Sequence, residues 1–215
     1  MTSGEKGSDT MACPSFKKMV LASRNKGKIR EFERMLDGFG IDLLSLNDYP
    51  AIGEIEEDGK SFLENALKKA RAVADATGEA VLADDSGLEV EALAGAPGIY
   101  SARYAGEGAD DEDNIRKLLD DLGGIPPEKR RALFRCVLIL CLPGGRYDAF
   151  EGSWEGRITE APAGQGGFGY DPVFFLPGMG MTVAELSPEV KNRISHRAQA
   201  VARLKEKLRK RVSVK

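Results

Sequence analysis

The segment of residues 80–88 constrains this chain more than any other, because it joins an apolar run to a cluster of polar side chains. Val81, Leu82 and Ala83 predict a buried strand, which is expected to end where Asp84-Asp85-Ser86-Gly87 begins. Ligands of open α/β sheets bind at the carboxyl ends of strands, so paired acids here predict a metal or phosphate site. The alternative is an ordinary turn, since Asp, Ser and Gly are all favoured in turns.

Composition excludes two classes of partner. The 215 residues are 42% hydrophobic and 30% charged, as in an ordinary globular protein. The net charge of -3 argues against extended binding to a nucleic-acid backbone, which needs a basic excess. No apolar run reaches the roughly 18 residues of a membrane helix. We therefore expect neither a stable nucleic-acid partner nor a membrane partner.

The first residues and the cysteines bear on domain organisation and compartment. Residues 1–18 are largely polar and lack the apolar region of a secretory signal, so we expect a disordered N-terminal extension. Residues 19–215 are expected to form a single domain of two lobes. The three cysteines, Cys13, Cys136 and Cys141, fit no metal spacing, and an odd number without a signal favours a reducing, cytoplasmic setting.

Helical spacing and turn residues place the remaining elements. Ser61 is the expected N-cap of one helix, with Glu64 reaching back to it, and Gly78 is its expected end. Strands are expected at residues 18–22, 41–46, 80–83, 131–142 and 146–159, and helices at about 29–37, 61–76, 110–122 and 195–211.

The loop Ser23-Arg24-Asn25-Lys26-Gly27-Lys28 lies between a predicted strand and a predicted helix, which is the arrangement of an anion site. A cation at a helix N-terminus is unfavourable for the helix itself, so Lys28 is interpreted as the partner of an anion. The alternative is a solvated lysine, the usual state of a single lysine. The glycine pattern of a Walker A loop is missing.

A patch of acids, Glu54, Glu56, Glu57 and Asp58, precedes the Ser61 helix start. Such a patch is ordinarily a solvated loop. Its fixed place before a helix also suits a carboxylate ligand of a metal ion.

The order and spacing of several motifs closely resemble the inosine triphosphatase family, the pyrophosphatases of non-standard purine nucleoside triphosphates. The motifs are Ser23-Arg24-Asn25-Lys26-Gly27-Lys28, Ala83-Asp84-Asp85-Ser86-Gly87-Leu88, the stretch 94–104, Phe168-Gly169-Tyr170-Asp171-Pro172 and Ser195-His196-Arg197. The resemblance extends from Met19 to about Leu208. It implies an α/β fold with an elongated, bent mixed sheet flanked by helices, two lobes and a central cleft. It also implies a homodimer that uses Mg²⁺ to hydrolyse ITP, dITP and XTP to the monophosphate and pyrophosphate.

The resemblance also implies roles for individual residues. Asp85 would be the proton acceptor, and Glu56 and Asp85 would bind the metal, with Glu57 the neighbour most easily confused with Glu56. The substrate would be bound by the loop 23–28, the residue after Asp85, the aromatic motif 168–171 and three basic residues near the C-terminus. These residues are Ser23, Arg24, Asn25, Lys26, Gly27, Lys28, Ser86, Phe168, Gly169, Tyr170, Asp171, Lys191, His196 and Arg197.

Other functions stay open from the residues alone. One is a pyrophosphatase of similar fold that acts on modified pyrimidine or standard nucleoside triphosphates. A second is a non-catalytic nucleotide-binding module. A third is a nucleic-acid binder that uses the basic C-terminal helix, which would bind RNA with a steep salt dependence.

Overall fold

The computed structural model describes residues 16–212, with side chains to residue 209, and in this part of the chain one seven-stranded sheet is flanked by helices. The sheet order is β2-β1-β3-β4-β5-β6-β7. The strands are β1 (Lys18–Leu21), β2 (Asp42–Ser45), β3 (Ala80–Val90), β4 (Arg131–Cys141), β5 (Tyr147–Ile158), β6 (Phe174–Leu176) and β7 (Met181–Thr182). The α-helices are α1 (Lys26–Leu36), α2 (Phe62–Thr77), α3 (Asp111–Asp121), α4 (Pro188–Ile194) and α5 (His196–Val212).

The sheet is mixed, which confirms the predicted α/β fold class. β1 runs parallel to β2 and β3, whereas β3 to β7 are joined by antiparallel pairs. The long strands β3, β4 and β5 form the middle of the sheet, and the short strands lie at its two sides.

The predicted end of the central strand was wrong. β3 continues through both acids to Val90, with Asp84 opposite Leu138 and Asp85 opposite Val137. A long antiparallel partner supplies hydrogen bonds to the whole segment, and this pairing overrides the turn preference of Asp-Ser-Gly. Gly87 lies inside β3, opposite Arg135. The residue there is glycine because a Cβ atom would collide with the Gly98 carbonyl.

The continuation of β3 places the two acids on opposite faces of the sheet, since successive side chains alternate. Asp84 faces the side covered by α1 and α5, and Asp85 faces the side covered by α2. The pairing of β1 with β3 stops at Leu82, with one further bond from the Ala22 amide, so the loop after β1 meets β3 beside both acids.

Helix positions follow the sequence signals. The Ser61 hydroxyl accepts a bond from the Glu64 amide at 3.2 Å, and Gly78 ends α2 in the left-handed region at φ 69°. The Glu64 carboxylate reaches back to the Lys60 amide, one residue beyond the expected cap. These signals are local, which is why they predict helix ends well.

Three apolar clusters hold the layers together. One joins α1 and α5 to the sheet, a second joins α2 to its opposite face, and a third surrounds α3 and β6. Val201 and Leu204 are buried and Leu208 is partly buried, as expected for the apolar face of α5. Of the expected N-terminal extension 1–18, Phe16 packs on the first cluster and Lys18 begins β1, whereas residues 1–15 lie outside the described residues. Among residues 16–212, no helix combines the length and apolarity that crossing a bilayer demands.

Candidate active site

The loop after β1 opens the N-terminus of α1 toward a cleft. The Asn25 side chain caps the helix by accepting a bond from the Lys28 amide at 3.0 Å, and the Ser23 hydroxyl accepts from the Asn25 amide at 3.1 Å. Arg24 instead donates to the carbonyls of Leu46 and Ile52, so this side chain anchors the loop. Free amides and the helix dipole at such an end favour an anion.

The cleft is open, and its empty space, including the solvent-filled part, measures about 670 Å³. It brings together the start of α1, the middle of β3, the start of α3, the loop before β6 and the start of α5. The lining includes ten of the sequence-predicted residues: Asn25, Lys28, Ser86, Phe168, Gly169, Tyr170, Asp171, Lys191, His196 and Arg197.

A continuous chain of alternating charges crosses the floor of the cleft. It runs from Lys28 to Asp84, Arg197, Glu31, Lys191 and Asp171. The Arg197 side chain is only 2% exposed, yet it bonds Asp84 at 3.2 Å and Glu31 at 2.5 Å. Buried ions need such partners, and the chain links the first loop to the aromatic loop.

Burial and charge shift the pKa values along this chain in opposite directions. Burial disfavours ionised Asp84, but Arg197 and Lys28 outweigh it and hold the Asp84 pKa well below its ordinary value. For Asp171 burial wins over the nearby Lys191 and raises the pKa. Asp84 is therefore ionised in the folded protein at neutral pH.

A second polar cluster lies on the other face of β3. The Lys69 ammonium donates to the Asp84 carbonyl at 2.8 Å, to Glu57 at 3.1 Å and to Asp85 at 3.3 Å. The Glu57 and Asp85 carboxylates therefore share one cation. Burial raises the pKa of Asp85, with the charge on Glu57 adding to it and Lys69 and Lys28 opposing it.

Glu56 and Glu57 differ clearly in their surroundings. The Glu56 side chain is 79% exposed, and its described ion pair is with Lys68 at 3.7 Å. Glu57 faces the Asp85 cluster, and its backbone carbonyl accepts a bond from Arg103 at 2.9 Å. We expected Glu56 to lie beside Asp85. The acid that pairs with the same lysine as Asp85 is instead Glu57, which the sequence had left as the alternative.

The Asp85 cluster has the donor chemistry of a site for a divalent cation. The second carboxylate oxygen of Asp85 is buried and has no hydrogen-bond partner among the described residues. A hard cation satisfies such an oxygen, and Mg²⁺ commonly takes one or two carboxylates, with waters and substrate phosphates as its remaining ligands. Within residues 16–212 no group of three or more His, Cys, Asp or Glu is placed to hold a metal ion.

The loop before β6 carries the predicted aromatic motif. Phe168 borders the cleft, with the Lys191 ammonium 4.4 Å from its ring centre. Tyr170 is mostly buried, and its hydroxyl donates to the Ser101 carbonyl at 2.8 Å, so it joins two parts of the fold. Phe168 is therefore the better placed of the two rings for contact with a ligand.

His196 lies at the bottom of the cleft and is uncharged. Burial, with the nearby Arg197 adding to it, holds the His196 pKa well below its ordinary value. Its ring stacks on Phe134 with centres 4.8 Å apart, and Nδ1 is buried without a partner. A neutral imidazole here offers polar contacts but no positive charge.

Sequence reasoning missed Lys69, Glu31 and the partners of Asp84. The signal for Lys69 is its spacing, since it falls on the α2 face formed by Phe62, Ala66, Ala70 and Val73. Glu31 similarly precedes the buried Phe32 on α1. A charged residue within an apolar stripe indicates a buried ion pair, because lone buried charges are too costly. Lys26, by contrast, is exposed at the start of α1.

Comparison with known proteins agrees with this geometry. The sequence profile of the Ham1 family matches residues 19–207. A dITP/XTP pyrophosphatase from Geobacter sulfurreducens is 56% identical over 191 residues, which cover 89% of this chain and 96% of that protein. Solved structures of Ham1 proteins from Coxiella burnetii and Staphylococcus aureus match with TM-scores of 0.82 and 0.80 at 42% and 44% identity. Each match covers 90% of this chain and 98% of the other.

These matches span nearly the whole described domain and confirm the family resemblance found in the motifs. The chain belongs to the Ham1 family.

Proposed function

We propose that this chain hydrolyses non-standard purine nucleoside triphosphates, namely ITP, dITP and XTP, to the nucleoside monophosphate and pyrophosphate, and so removes them from the nucleotide pool. The observation that carries the proposal is the position of Asp85. One oxygen of its buried carboxylate has no hydrogen-bond partner among the described residues. The charge of Lys28, at the end of the first loop, acts on the Asp85 pKa, and Lys28 shares a cleft with the aromatic loop. The names of the relatives support the same activity.

The first loop would bind the phosphates. Amides at the start of α1 would donate to phosphate oxygens, and Lys28 would supply a compact positive charge. Lys28 acts on the pKa values of Asp84, Asp85 and Glu57, so it lies close enough to all three acids to serve as their common counter-charge.

Asp85 would accept the proton of the water that attacks the α-phosphorus. Attack there breaks the bond to the bridging oxygen, and pyrophosphate leaves. A base of this kind contributes about 10²- to 10⁴-fold to the rate, and a raised pKa suits it because proton affinity grows with pKa.

Asp85 and Glu57 would hold Mg²⁺, with Glu56 the less favoured alternative. The metal ion would neutralise phosphate charge and lower the pKa of bound water. Lys69 keeps both carboxylates in place by donating to each.

The aromatic loop would bind the base. Phe168 would stack on the purine, an interaction worth roughly 1–3 kcal/mol. Lys191 and Arg197 would donate hydrogen bonds to the oxygen of a 6-oxo purine. The amino group of adenine is itself a donor and would leave them unpaired.

We further propose a homodimer in the cytoplasm. The family resemblance supports the homodimer. The buried free thiols of Cys136 and Cys141 support a reducing compartment.

Product analysis tests the reaction class. With ITP and Mg²⁺ we expect IMP and pyrophosphate in equal amounts, and formation of IDP and orthophosphate would contradict the proposal. A parallel series of XTP, GTP, ATP and modified dUTP separates it from a pyrophosphatase of other nucleotides, because only the 6-oxo non-standard purines should turn over rapidly.

Asp85→Asn tests the proton acceptor. We expect turnover to fall by at least about 10²-fold, with an unchanged circular-dichroism spectrum. The wild-type rate should fall as the pH drops through the Asp85 pKa, because only its ionised form accepts a proton. Wild-type turnover in the variant would remove Asp85 from the mechanism.

A further inference from the structure

One hydrogen bond ties the aromatic loop to a helix 58 positions away in the sequence. The carboxylate of Asp111, at the first position of α3, accepts a bond from the Gly169 amide at 2.6 Å. Asp111 also borders the same cleft as Phe168. Its charge is favoured where it lies, since the N-terminal end of a helix stabilises an anion.

The bonded peptide is the one that needs fixing. Gly169 has a φ of 60°, and a Cβ atom there would meet nothing within 4 Å, so neither a side chain nor packing restrains this residue. Glycine moves readily between backbone regions. Any rotation of the peptide before Gly169 displaces Phe168, whose main chain provides the other half of that peptide.

The remaining bonds of the loop hold its two neighbours. The Phe168 amide donates to Asp171 at 2.9 Å, and the Tyr170 hydroxyl donates to Ser101 at 2.8 Å. A third bond, from the Asp171 amide to the Phe168 carbonyl, holds the carbonyl side of the Phe168–Gly169 peptide at the long distance of 3.3 Å. The Asp111 bond holds the amide side of that peptide at 2.6 Å, and because it involves a carboxylate it is of the stronger kind.

From this geometry we propose that Asp111 is a positioning residue for the purine base: it holds the Gly169 peptide so that Phe168 faces the base site. The inference rests on the proposed function, because it assumes that the Phe168 side of the cleft receives a purine. It leaves phosphate binding to the first loop, so the effect of Asp111 is confined to the base half of the ligand.

Three variants test this role. Asp111→Ala removes the acceptor, whereas Asp111→Asn keeps an acceptor oxygen at the same place without the charge. Glu112→Ala is the matched control, since Glu112 is an exposed acid in the same helical turn. Asp111→Ser, whose hydroxyl suits a helix start but is shorter, replaces the alanine variant if that protein does not fold.

Calorimetric titration with IMP and with pyrophosphate separates the base half of the ligand from the phosphate half. We expect Asp111→Ala to weaken IMP binding about tenfold, the equivalent of losing one charged hydrogen bond, and to leave pyrophosphate binding unchanged. Asp111→Asn and Glu112→Ala should bind IMP within about threefold of wild type. Hydrogen exchange at the Gly169 amide should accelerate about tenfold in Asp111→Ala alone.

Equal IMP affinities of Asp111→Ala and Glu112→Ala would overturn the inference, as would an equal loss of IMP and pyrophosphate binding. Failure of the proposed function looks different. In that case the wild-type chain would neither turn over ITP nor bind IMP, and Gly169 exchange in the absence of nucleotide would still decide whether Asp111 holds the loop.

Discussion

At the scale of single residues, adjacent side chains of one helix have different functions. Lys68 and Lys69 both form two ion pairs with acids, yet the Lys68 side chain is 40% exposed and that of Lys69 is 9% exposed. Exposed pairs contribute little because water screens them, whereas removal of one buried partner leaves uncompensated charge. Lysine–carboxylate ion pairs therefore contribute little to stability at Lys68, whereas loss of the buried Lys69 would be costly.

Lys69→Met should lower the free energy of unfolding by about 3–5 kcal/mol, because Glu57 and Asp85 lose their shared cation. Lys68→Met is the matched control and should cost much less, because water screens its exposed ion pairs. Urea denaturation of the two variants measures the difference. Equal costs would show that the Lys69 cluster is solvated in solution.

At the scale of elements, the start of α1 and the aromatic loop are in direct contact. Gly27 is buried, and a Cβ atom there would lie 2.5 Å from the Phe168 ring. Alanine would otherwise favour the helix, since it exceeds glycine in helix propensity. Gly27 is thus explained by the approach of Phe168 rather than by the helix that contains it.

Gly27→Ala should displace Phe168 and raise the KM for ITP about tenfold, since base stacking worth roughly 1–3 kcal/mol is impaired. The stability of the fold should change by less than about 1 kcal/mol, because the ring lies on a loop that can yield while the helix gains alanine. Gly53→Ala is the control, as nothing lies within 4 Å of its Cβ position. Steady-state kinetics decide, and an unaltered KM would show that Phe168 does not contact the base.

At the scale of the whole molecule, the buried charges join elements that are distant in sequence. Asp84 on β3 pairs with Lys28 on α1 and Arg197 on α5, and Glu31 pairs with Lys191 on α4. The Asp84 pKa lies well below its ordinary value, so its ionised form stabilises the folded state. That contribution is fully present above the unfolded pKa of about 3.8 and is lost as the pH falls through the lower folded value.

Asp84→Asn should lower the free energy of unfolding by about 3–5 kcal/mol at neutral pH. The gap between wild type and variant should narrow as the pH drops below about 3.8, because the unfolded wild-type chain then binds a proton at Asp84 that the folded chain binds only at lower pH. Thermal unfolding from pH 7 to pH 2 measures both effects. Asp58→Asn, at an exposed pair with Lys68, is the control and should unfold close to wild type. A gap that stays constant with pH would contradict the role given to Asp84.

Much of the fold and part of the site were predictable from the sequence. Local sequence patterns predicted several elements that the structure contains: the caps Ser61 and Gly78, the long hairpin and the basic C-terminal helix. The ordered motifs indicated the family, and most of the substrate-binding residues they named line one cleft. Local propensity and motif order do not depend on tertiary contacts, so the sequence alone determined these features.

Only the tertiary structure decided how the acids are used. Pairing with β4 carries β3 past Asp84 and Asp85 and sends the two carboxylates to opposite faces, and the position of α2 selects Glu57 rather than Glu56 as the neighbour of Asp85. The burial of Lys69 and Glu31 likewise depends on contacts with distant strands and helices. The physical reason is that strand pairing and desolvation depend on groups remote in the chain, and these determine which charges become paired, shifted in pKa or free to bind a ligand.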